Sequence, residues 1–237
     1  MDIKSRILYC DSNCVVVNKM AGEAVEGAGQ GMIDLPKILA AELGSSSEDA
    51  LLVPVAAHRL DVPVSGCVVF ARTTEALRFL SNAFKHNETE KQYWAIVENP
   101  QDNAALPENT GEMTELIQWI QFNPRQNKSI AHNEPGPGRK KAILRYRLAG
   151  KGTDYLFLEI DLITGRHHQI RAQLERIGLR IKGDLKYGAR RSERNGGIRL
   201  HARALAFQLT ENGKRITVQA DPPLRDNLWL AFAESIP

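Results

Sequence analysis

The chain has 237 residues, of which 43% are hydrophobic and 25% are charged. This balance is typical of a globular protein and excludes a disordered chain, a collagen-like fibre and a membrane bundle. No apolar run approaches the roughly 20 residues that a spanning helix needs, and no secretory signal begins the chain, so we expect a cytoplasmic protein without a membrane partner. The three cysteines do not form a disulfide framework and predict free thiols.

The charge is unevenly distributed along the chain. The formal net charge is +3, but residues 1–138 carry −7 and residues 139–215 carry +12. The basic part is rich in arginine, whose planar fork matches phosphate oxygens. Charge alone is equally compatible with a surface that binds a polyanion and with a solvated face that balances the acidic half.

The first half of the chain predicts a hairpin, two helices and several strands. Apolar runs at 7–10 and 14–18 flank three polar residues, which is typical of a β-hairpin. The glycine-rich segment 22–31 lacks the spacing of a phosphate-binding loop, and we interpret it as a flexible loop. Asp34 and Thr73 each precede an apolar stripe with helical spacing and are candidate helix caps. Further strands are predicted near 53–55, 66–70, 91–97 and 115–122.

The second half contains mostly strands. Segment 99–111 is polar and predicts a connection, and segment 123–139, with three prolines and two glycines, predicts a long exposed loop. Strands are predicted near 141–148, 155–163, 200–209 and 215–218, helices over 167–177 and 227–233, and a turn at Asn212-Gly213. Because the strands come in adjacent runs with few helices between them, we predict an α+β fold with a mixed, mostly antiparallel central sheet and flanking helices and loops.

The most informative segment for chemistry is Ala57–Gly66, which contains Arg59 and Asp61. Two residues apart in an extended segment, these side chains share a side, and a nearby guanidinium would keep the carboxylate ionised. Pro63 and Gly66 predict a shaped loop, and loops on a rigid scaffold often present reactive groups. From spacing alone, the pair either presents a reactive carboxylate or merely fixes a turn.

A second segment, Leu162–Arg171, ends a strand at Gly165 and then begins a helix among polar and basic residues. Free N–H groups at a helix start attract anions. Arg171 lies about one turn into this helix, where it would point at an anion or a carboxylate. Adjacent His167 and His168 would point about 100° apart on a helix, and no metal-binding motif accompanies them, so we predict no metal site.

Three further segments are weak signals by themselves. They are the glycine-bounded loop 182–188 with an exposed-looking Tyr187, the segment 199–207, and the strand 91–97. On that strand Tyr93 and Trp94 point to opposite faces, which predicts one core residue and one residue that faces a site. Taken singly, each segment favours core packing over function.

Taken together, the five segments resemble the RluA-type pseudouridine synthases, in which they occur in the same order and at similar separations. The matching stretches are His58–Asp61 with Ser65-Gly66, Lys91–Tyr93, Thr164–Arg171, Gly183–Gly188 and Leu200–Ala202. The resemblance covers roughly residues 7–210. Two positions depart from it: Val64 stands where the family usually has threonine, and Met20 where it usually has proline.

The resemblance implies a pseudouridine synthase fold in a single catalytic domain over residues 1–237, without a separate S4 RNA-binding domain. It implies an isomerase that converts a specific uridine in structured RNA to pseudouridine. The reaction exchanges an N1–C1′ bond for a C5–C1′ bond without redox change or group transfer, so no cofactor is implied.

The resemblance also assigns the site residues. Asp61 matches the catalytic aspartate, Arg171 the basic residue that pairs with it, and Tyr93 the tyrosine that stacks on the target base. Ile170 and Leu200 match apolar walls, and Arg59 is expected to contact the substrate.

The expected partner is ribosomal or transfer RNA rather than DNA, bound by a monomer. One alternative is a non-catalytic RNA-binding protein on the same fold, favoured if Val64 removes a hydrogen bond that shapes the loop. A second is a small-molecule hydrolase that uses Asp61 with a histidine. The missing nucleophile elbow and the basic half of the chain disfavour it.

Overall fold

The computed structural model describes residues 2–29, 31–44, 50–100, 111–210, 213–223 and 226–236. The fold is α+β with a large mixed, mostly antiparallel sheet, as predicted. The chain divides into two compact units. The first comprises Met1–Lys91 with Ala202–Pro223, and the second comprises Gln92–His201 with Leu224–Pro237.

The predicted elements occur in the predicted order, with bounds that differ by a few residues, and short strands at 23–24, 33–34 and 128–132 occur in addition. The strands are β1 (Ile7–Cys10), β2 (Cys14–Lys19), β3 (Glu23–Ala24), β4 (Ile33–Asp34), β5 (Ala50–Ala56), β6 (Ser65–Thr73), β7 (Glu90–Glu98), β8 (Thr114–Asn123), β9 (Lys128–His132), β10 (Lys140–Lys151), β11 (Tyr155–Leu162), β12 (Leu200–Phe207) and β13 (Ile216–Gln219). The helices are α1 (Leu35–Leu43), α2 (Thr74–His86), α3 (Gln169–Arg176) and α4 (Asn227–Ser235).

The first unit is built on the strand order β1-β2-β6-β12, with β5 paired to β6 and β13 to β12. The predicted hairpin is confirmed by the antiparallel β1–β2 pair. The Asp34 carboxylate accepts the N–H of Lys37, and the Thr73 hydroxyl accepts that of Ala76, so both predicted caps are confirmed. The core of this unit consists of small and aliphatic residues from the sheet and α2, with Phe207.

The glycine-rich segment of the first unit contains a structured part that the sequence did not predict. Glu23 and Ala24 form β3, which pairs in parallel with β4, and both residues are buried. An ion pair of 2.8 Å between Arg6 and Glu23 satisfies the buried carboxylate. The interpretation of this whole segment as a flexible loop is therefore wrong at its start.

The second unit has the strand order β7-β11-β10-β8-β9, antiparallel throughout. Along β11, the apolar residues at every second position from Leu156 to Leu162 are buried. On one side, aromatic residues of β7 and β11 pack against Trp229 and Phe232 of α4. On another, α3 contributes Ala172 to a cluster with Ile120, Ala131 and Ala142.

The prediction of a long exposed loop over 123–139 is wrong, because β9 lies within it. This strand pairs with β8, and its Ser129 and Ala131 are buried. The connecting turn has Asn127 at a φ of 44°, a conformation that asparagine tolerates. The strand was missed because its inward residues are small or polar and prolines flank it. Most of the predicted connection 99–111, and Asn212 of the predicted turn, lie outside the described residues.

All three cysteines, Cys10, Cys14 and Cys67, are free thiols. No helix in the described parts of the chain combines the length and the apolar character needed to cross a membrane.

Candidate active site

Asp61 lies in the first unit on the loop that joins β5 to β6. Its side chain is half-buried, and its carbonyl oxygen accepts the N–H of Val64 at 3.0 Å, which closes a turn around Val62 and Pro63. The carbonyl oxygen of Val62 in turn accepts the N–H of Gly22 at 2.8 Å. Main-chain hydrogen bonds therefore fix the backbone on which the Asp61 carboxylate is carried.

A buried lysine stabilises this loop by hydrogen bonds to its main chain. Lys19, at the end of β2, has no solvent exposure. Its ammonium group lies within hydrogen-bonding distance of four carbonyl oxygens, those of Met20 at 3.0 Å, Asp61 at 3.4 Å, Val62 at 3.1 Å and Val64 at 2.6 Å, and shares its three N–H donors among them. Burial lowers the pKa of Lys19 to about 8, although the carboxylates of Glu23 and Asp61 oppose that shift. Sequence reasoning missed this residue, because only the fold brings it to the loop.

The departure at Met20 takes part in the same arrangement. The N–H of Met20 donates to Glu23 Oε2 at 2.8 Å, and the same oxygen receives Arg6 at 2.8 Å. A proline at this position has no N–H to donate. Met20 therefore supplies a hydrogen bond that ties the segment after Lys19 to a buried carboxylate.

His58 anchors the start of the loop. Its Nε2 accepts the N–H of Val69 at 3.2 Å, and its ring stacks on Phe84 with centroids 4.3 Å apart. Burial, assisted by the charge of Lys91, lowers the pKa of His58 to about 3. The imidazole is therefore neutral and acts as an acceptor for the backbone of β6.

Residue 66, just after the loop, must be a glycine because β6 and β12 approach each other closely there. Its φ is +120°, and a Cβ at this position would lie 2.3 Å from the carbonyl oxygen of Ala202 in β12. Glycine thus allows β6 to run beside β12 within the first unit.

Arg59 does not form the pair with Asp61 that the spacing suggested. Its side chain is 66% exposed and forms an ion pair with Glu26 at 2.9 Å. Because Glu26 belongs to the glycine-rich segment, the Arg59 side chain is directed towards that segment. Arg59 is therefore a solvent-accessible cation on the Asp61 loop, paired with Glu26.

Arg171 lies in the second unit, near the start of α3. It forms a two-pronged ion pair with Asp184, with Nε to Oδ2 at 2.6 Å and NH2 to Oδ1 at 2.8 Å. Both side chains are buried, at 5% and 1% exposure. This geometry fixes the plane of the guanidinium, because two parallel hydrogen bonds leave it little freedom.

Tyr187 supports this ion pair and is not the exposed residue that the sequence suggested. It is 2% exposed, and the Arg171 guanidinium lies 4.9 Å from its ring centroid. Its hydroxyl donates to the carbonyl oxygen of Ser129 and accepts the N–H of the same residue, both at 3.0 Å. The signal in the sequence for this supporting role of Tyr187 was the segment Gly183–Gly188, which is one of the stretches that carry the family resemblance.

The remaining predicted site residues are buried in the second unit. Tyr93 and Trp94 on β7 are both 6% exposed and, as neighbours on a strand, point to opposite faces of the sheet. Trp94 packs on Phe232 with ring centroids 4.7 Å apart. Ile170 on α3 and Leu200 at the start of β12 are 4% and 3% exposed. The first unit thus holds Arg59 and Asp61, and the second holds Tyr93, Ile170, Arg171 and Leu200.

The helix around the two histidines begins later than predicted, at Gln169. His167 and His168 precede it, and their rings stack 3.8 Å apart instead of diverging. Across the described ranges, no three His, Cys, Asp or Glu side chains are grouped as metal ligands.

Sequence comparison with known families matches residues 13–176 to a family described as RNA pseudouridylate synthase. An RNA pseudouridine synthase of Zymomonas mobilis, named as uncharacterized, is 29% identical over 93% of this chain and 95% of its own length. A tRNA pseudouridine synthase C of Haemophilus ducreyi is 30% identical over 94% of this chain and 92% of its own. A ribosomal large subunit pseudouridine synthase C of Rickettsia bellii is also 30% identical, over 92% of this chain and 68% of its own.

The fold is similar to that of a solved human structure, RNA pseudouridylate synthase domain containing 4. The two superpose with a TM-score of 0.73 over 99% of this chain and 94% of the human chain, at 20% identity. At this identity the likeness concerns the fold.

Proposed function

The chain belongs to the RNA pseudouridylate synthase family, and we propose that it isomerises a uridine of ribosomal or transfer RNA to pseudouridine with Asp61 as its catalytic carboxylate. The observation that carries the proposal is the match over residues 13–176, which includes the Asp61 loop. The tight main-chain support of that loop by Lys19 is consistent with a carboxylate that must be held in one position.

The reaction needs only groups that a protein supplies. The N1–C1′ bond of uridine breaks, the uracil turns, and C5 bonds to C1′. The proton on C5 is removed and N1 gains a proton, so atoms and electrons balance without a cofactor. An ionised carboxylate is a suitable nucleophile for a glycosidic centre, which is the role we assign to Asp61.

We assign nucleotide binding to residues of the second unit and to Arg59. A uridine within a stem must leave the stack before an enzyme can reach it, and its ring must then be held. Tyr93 would stack on the uracil and relay the C5 proton, and Ile170 and Leu200 would form apolar walls. Arg171, fixed by Asp184, supplies a positioned cation. Exposed Arg59 is free of burial constraints and suits a phosphate contact.

We further propose that the partner is RNA and not DNA, and that a monomer acts in the cytoplasm. Relatives named for transfer RNA and for the large ribosomal subunit support both RNA classes. The net charge of +12 over residues 139–215 suits the phosphates around the target.

The decisive experiment measures tritium release from transfer and ribosomal RNA labelled at C5 of uridine. The wild-type chain should release tritium, and an Asp61→Asn variant should release none while it still folds and binds RNA. An Asp154→Asn variant, changed at an exposed carboxylate of the second unit, is the matched control and should match wild type. Full activity of the Asp61→Asn variant would refute the role of Asp61. RNA binding without release by wild type would favour the non-catalytic alternative.

Mapping pseudouridine in total RNA with and without the gene would identify the target. Sites that disappear with the gene and return with the wild-type chain are the substrates. Loss confined to one RNA class would decide between ribosomal and transfer RNA.

A further inference from the structure

A row of aromatic rings connects the interior of the second unit to its surface. Buried Tyr187 meets His168 edge-on with centroids 5.7 Å apart, and His168 stacks on His167 at 3.8 Å. His167 meets the ring of Phe122 at 4.4 Å. Phe122, at the end of β8, is 47% exposed. The row therefore ends in a large aromatic ring that is open to solvent.

The rings of this row are held in place by hydrogen bonds. The Ser129 hydroxyl lies 3.0 Å from His167 Nδ1, and the Tyr187 hydroxyl lies 3.0 Å from His168 Nδ1. Main-chain groups of Ser129 in turn hold the Tyr187 hydroxyl. A ligand that stacks at the open end would therefore meet a surface already ordered, which reduces the entropic cost of binding.

The backbone at His168 adopts an uncommon conformation that makes this row possible. His168 has a φ of 51° and a ψ of 28°, in the left-handed region that non-glycine residues rarely adopt. In a helix, the rings of adjacent residues diverge by about 100°. Strained backbone persists where surrounding contacts enforce it, and such residues cluster at functional sites.

In the β8–β9 hairpin, Phe122 lies at the solvent-exposed end of the sheet face that packs against α3. Ile120 pairs with Ala131 on the face that packs against α3, and Phe122 pairs with Ser129 two residues further along the same face. Ile130 points to the opposite face and is 43% exposed. Ile130 is thus an apolar side chain of the same hairpin with an exposure similar to that of Phe122, but it does not belong to the aromatic row.

Cationic side chains lie beside the row. The Lys128 ammonium is 4.7 Å from the Tyr187 ring centroid, and Lys186 donates to the carbonyl oxygen of Asn127 at the hairpin turn at 3.2 Å. Arg166, which precedes His167, is exposed and donates to the carbonyl oxygen of Lys141 at 3.1 Å. Aromatic rings among cations are the surface that unpaired nucleic acid prefers, since bases stack and phosphates pair with the charges.

We propose that Phe122 and His167 form a stacking platform for an unpaired base of the bound RNA, outside the residues assigned to the target uridine. This rests on the proposed function only in taking RNA as the ligand. Lys128, Lys186 and Arg166 contact the phosphates that flank the stacked base. Because His168 leads directly into α3, the platform is joined to the helix that carries Arg171.

The test measures the affinity of the full chain for a fluorescent single-stranded oligouridylate of about 12 nucleotides, a length within the range of one binding site. Phe122→Ala should weaken binding by about tenfold, because stacking on one aromatic ring is lost. Phe122→Trp should bind as tightly as wild type, since the indole presents a stacking surface. Ile130→Ala, the matched control on the opposite face, should stay within about twofold of wild type.

A second measurement reports stacking directly. An oligonucleotide that contains 2-aminopurine should lose fluorescence on binding to wild type and to Phe122→Trp, and much less on binding to Phe122→Ala. Equal weakening by Phe122→Ala and Ile130→Ala, or equal weakening by Phe122→Ala and Phe122→Trp, would overturn the proposal.

The two proposals fail separately. If binding depends on Phe122 but wild type releases no tritium from labelled RNA, the platform stands and the isomerase function fails. If wild type releases tritium but neither measurement responds to Phe122, the function stands and the platform fails.

Discussion

The loop around Asp61 and the helix start around Arg171 position their charged groups by different means. Lys19 stabilises the Asp61 loop by hydrogen bonds to carbonyl oxygens, so the interaction is with the main chain. Arg171 is held by an ion pair with the Asp184 side chain and lies over the Tyr187 ring, so its position depends on particular side chains. We therefore expect the conformation of the Asp61 loop to depend little on its own side chains, and the position of Arg171 to depend on Arg171, Asp184 and Tyr187 themselves.

This difference accounts for the departure at Val64. Its N–H donates to the carbonyl oxygen of Asp61, and its own carbonyl oxygen accepts from Lys19. Both bonds belong to the main chain and do not require a hydroxyl on the side chain. The lost hydroxyl therefore gives no reason to prefer the non-catalytic alternative.

The largest effect on stability is expected from Lys19→Met, which removes the hydrogen bonds from the ammonium group to the main chain of the Asp61 loop. The carbonyl oxygens around Lys19 would each lose a bond to a charged donor, worth about 1.5–3 kcal/mol, although those of Met20, Asp61 and Val62 would keep a main-chain donor. We expect the free energy of unfolding to fall by about 3–5 kcal/mol in urea titrations. Lys37→Met, which breaks an exposed ion pair with Asp34, is the control and should cost less than about 1 kcal/mol. An equal loss of stability in Lys19→Met and Lys37→Met would contradict the stabilisation of the loop by Lys19.

A smaller effect is expected from Arg171→Lys, which keeps the charge but removes the planar fork. One of the two bonds to Asp184 and the contact with Tyr187 would be lost, which should cost about 2–3 kcal/mol of stability. Arg145→Lys, at an exposed pair with Glu115, provides the comparison and should change stability by less than about 1 kcal/mol. Thermal unfolding that does not separate the two variants would show that the fork is unimportant.

A third prediction concerns pH and the anchor at His58. The unfolded chain binds a proton on His58 below its ordinary pKa of about 6.5, but the folded chain does so only near a pKa of about 3. The unfolded state therefore binds more protons between these values, and stability falls as pH decreases through this window.

His58→Gln keeps an acceptor for Val69 but does not titrate. Between pH 7 and pH 5 this variant should lose up to about 2 kcal/mol less stability than wild type. Exposed His86, changed to Gln, is the control and should follow wild type. Parallel pH profiles for wild type and His58→Gln would show that His58 is not kept neutral by the fold.

The smallest effect is expected from Val64→Thr. Since main-chain bonds shape the loop, the rate of pseudouridine formation should stay within about twofold of the wild-type rate. Val62→Thr, at the exposed neighbour, controls for the added hydroxyl. A tenfold gain in rate for Val64→Thr alone would show that a side-chain hydroxyl does shape the loop.

Local signals made much of the fold predictable. Asp34 and Thr73 cap helices because their side chains bond to N–H groups three residues later. The apolar alternation in β11 marks one buried face, although Phe157 and Glu159 on the other face are buried as well. The strand β9 escaped prediction because burial of Ser129 depends on a partner far along the chain, Tyr187. Such contacts leave no periodic signal.

The motifs that define the candidate site are visible in the sequence, but the residues that support them are not. The motifs that contain Asp61 and Arg171 are continuous in sequence, so their spacing is visible. Lys19 lies 42 residues before Asp61, and Asp184 lies 13 residues after Arg171. Only the folded chain joins them, and the same holds for Arg59, whose partner is Glu26 and not the nearby carboxylate.

The hydrogen bond from the Met20 N–H to Glu23 has an evolutionary consequence. Because proline lacks that donor, a change of Met20 to proline would leave a buried carboxylate oxygen with one partner fewer. The cost of that change depends on whether residue 23 is still an acid, so the two positions are epistatic. A lineage that passes between methionine and proline at position 20 is therefore expected to adjust position 23 at the same step.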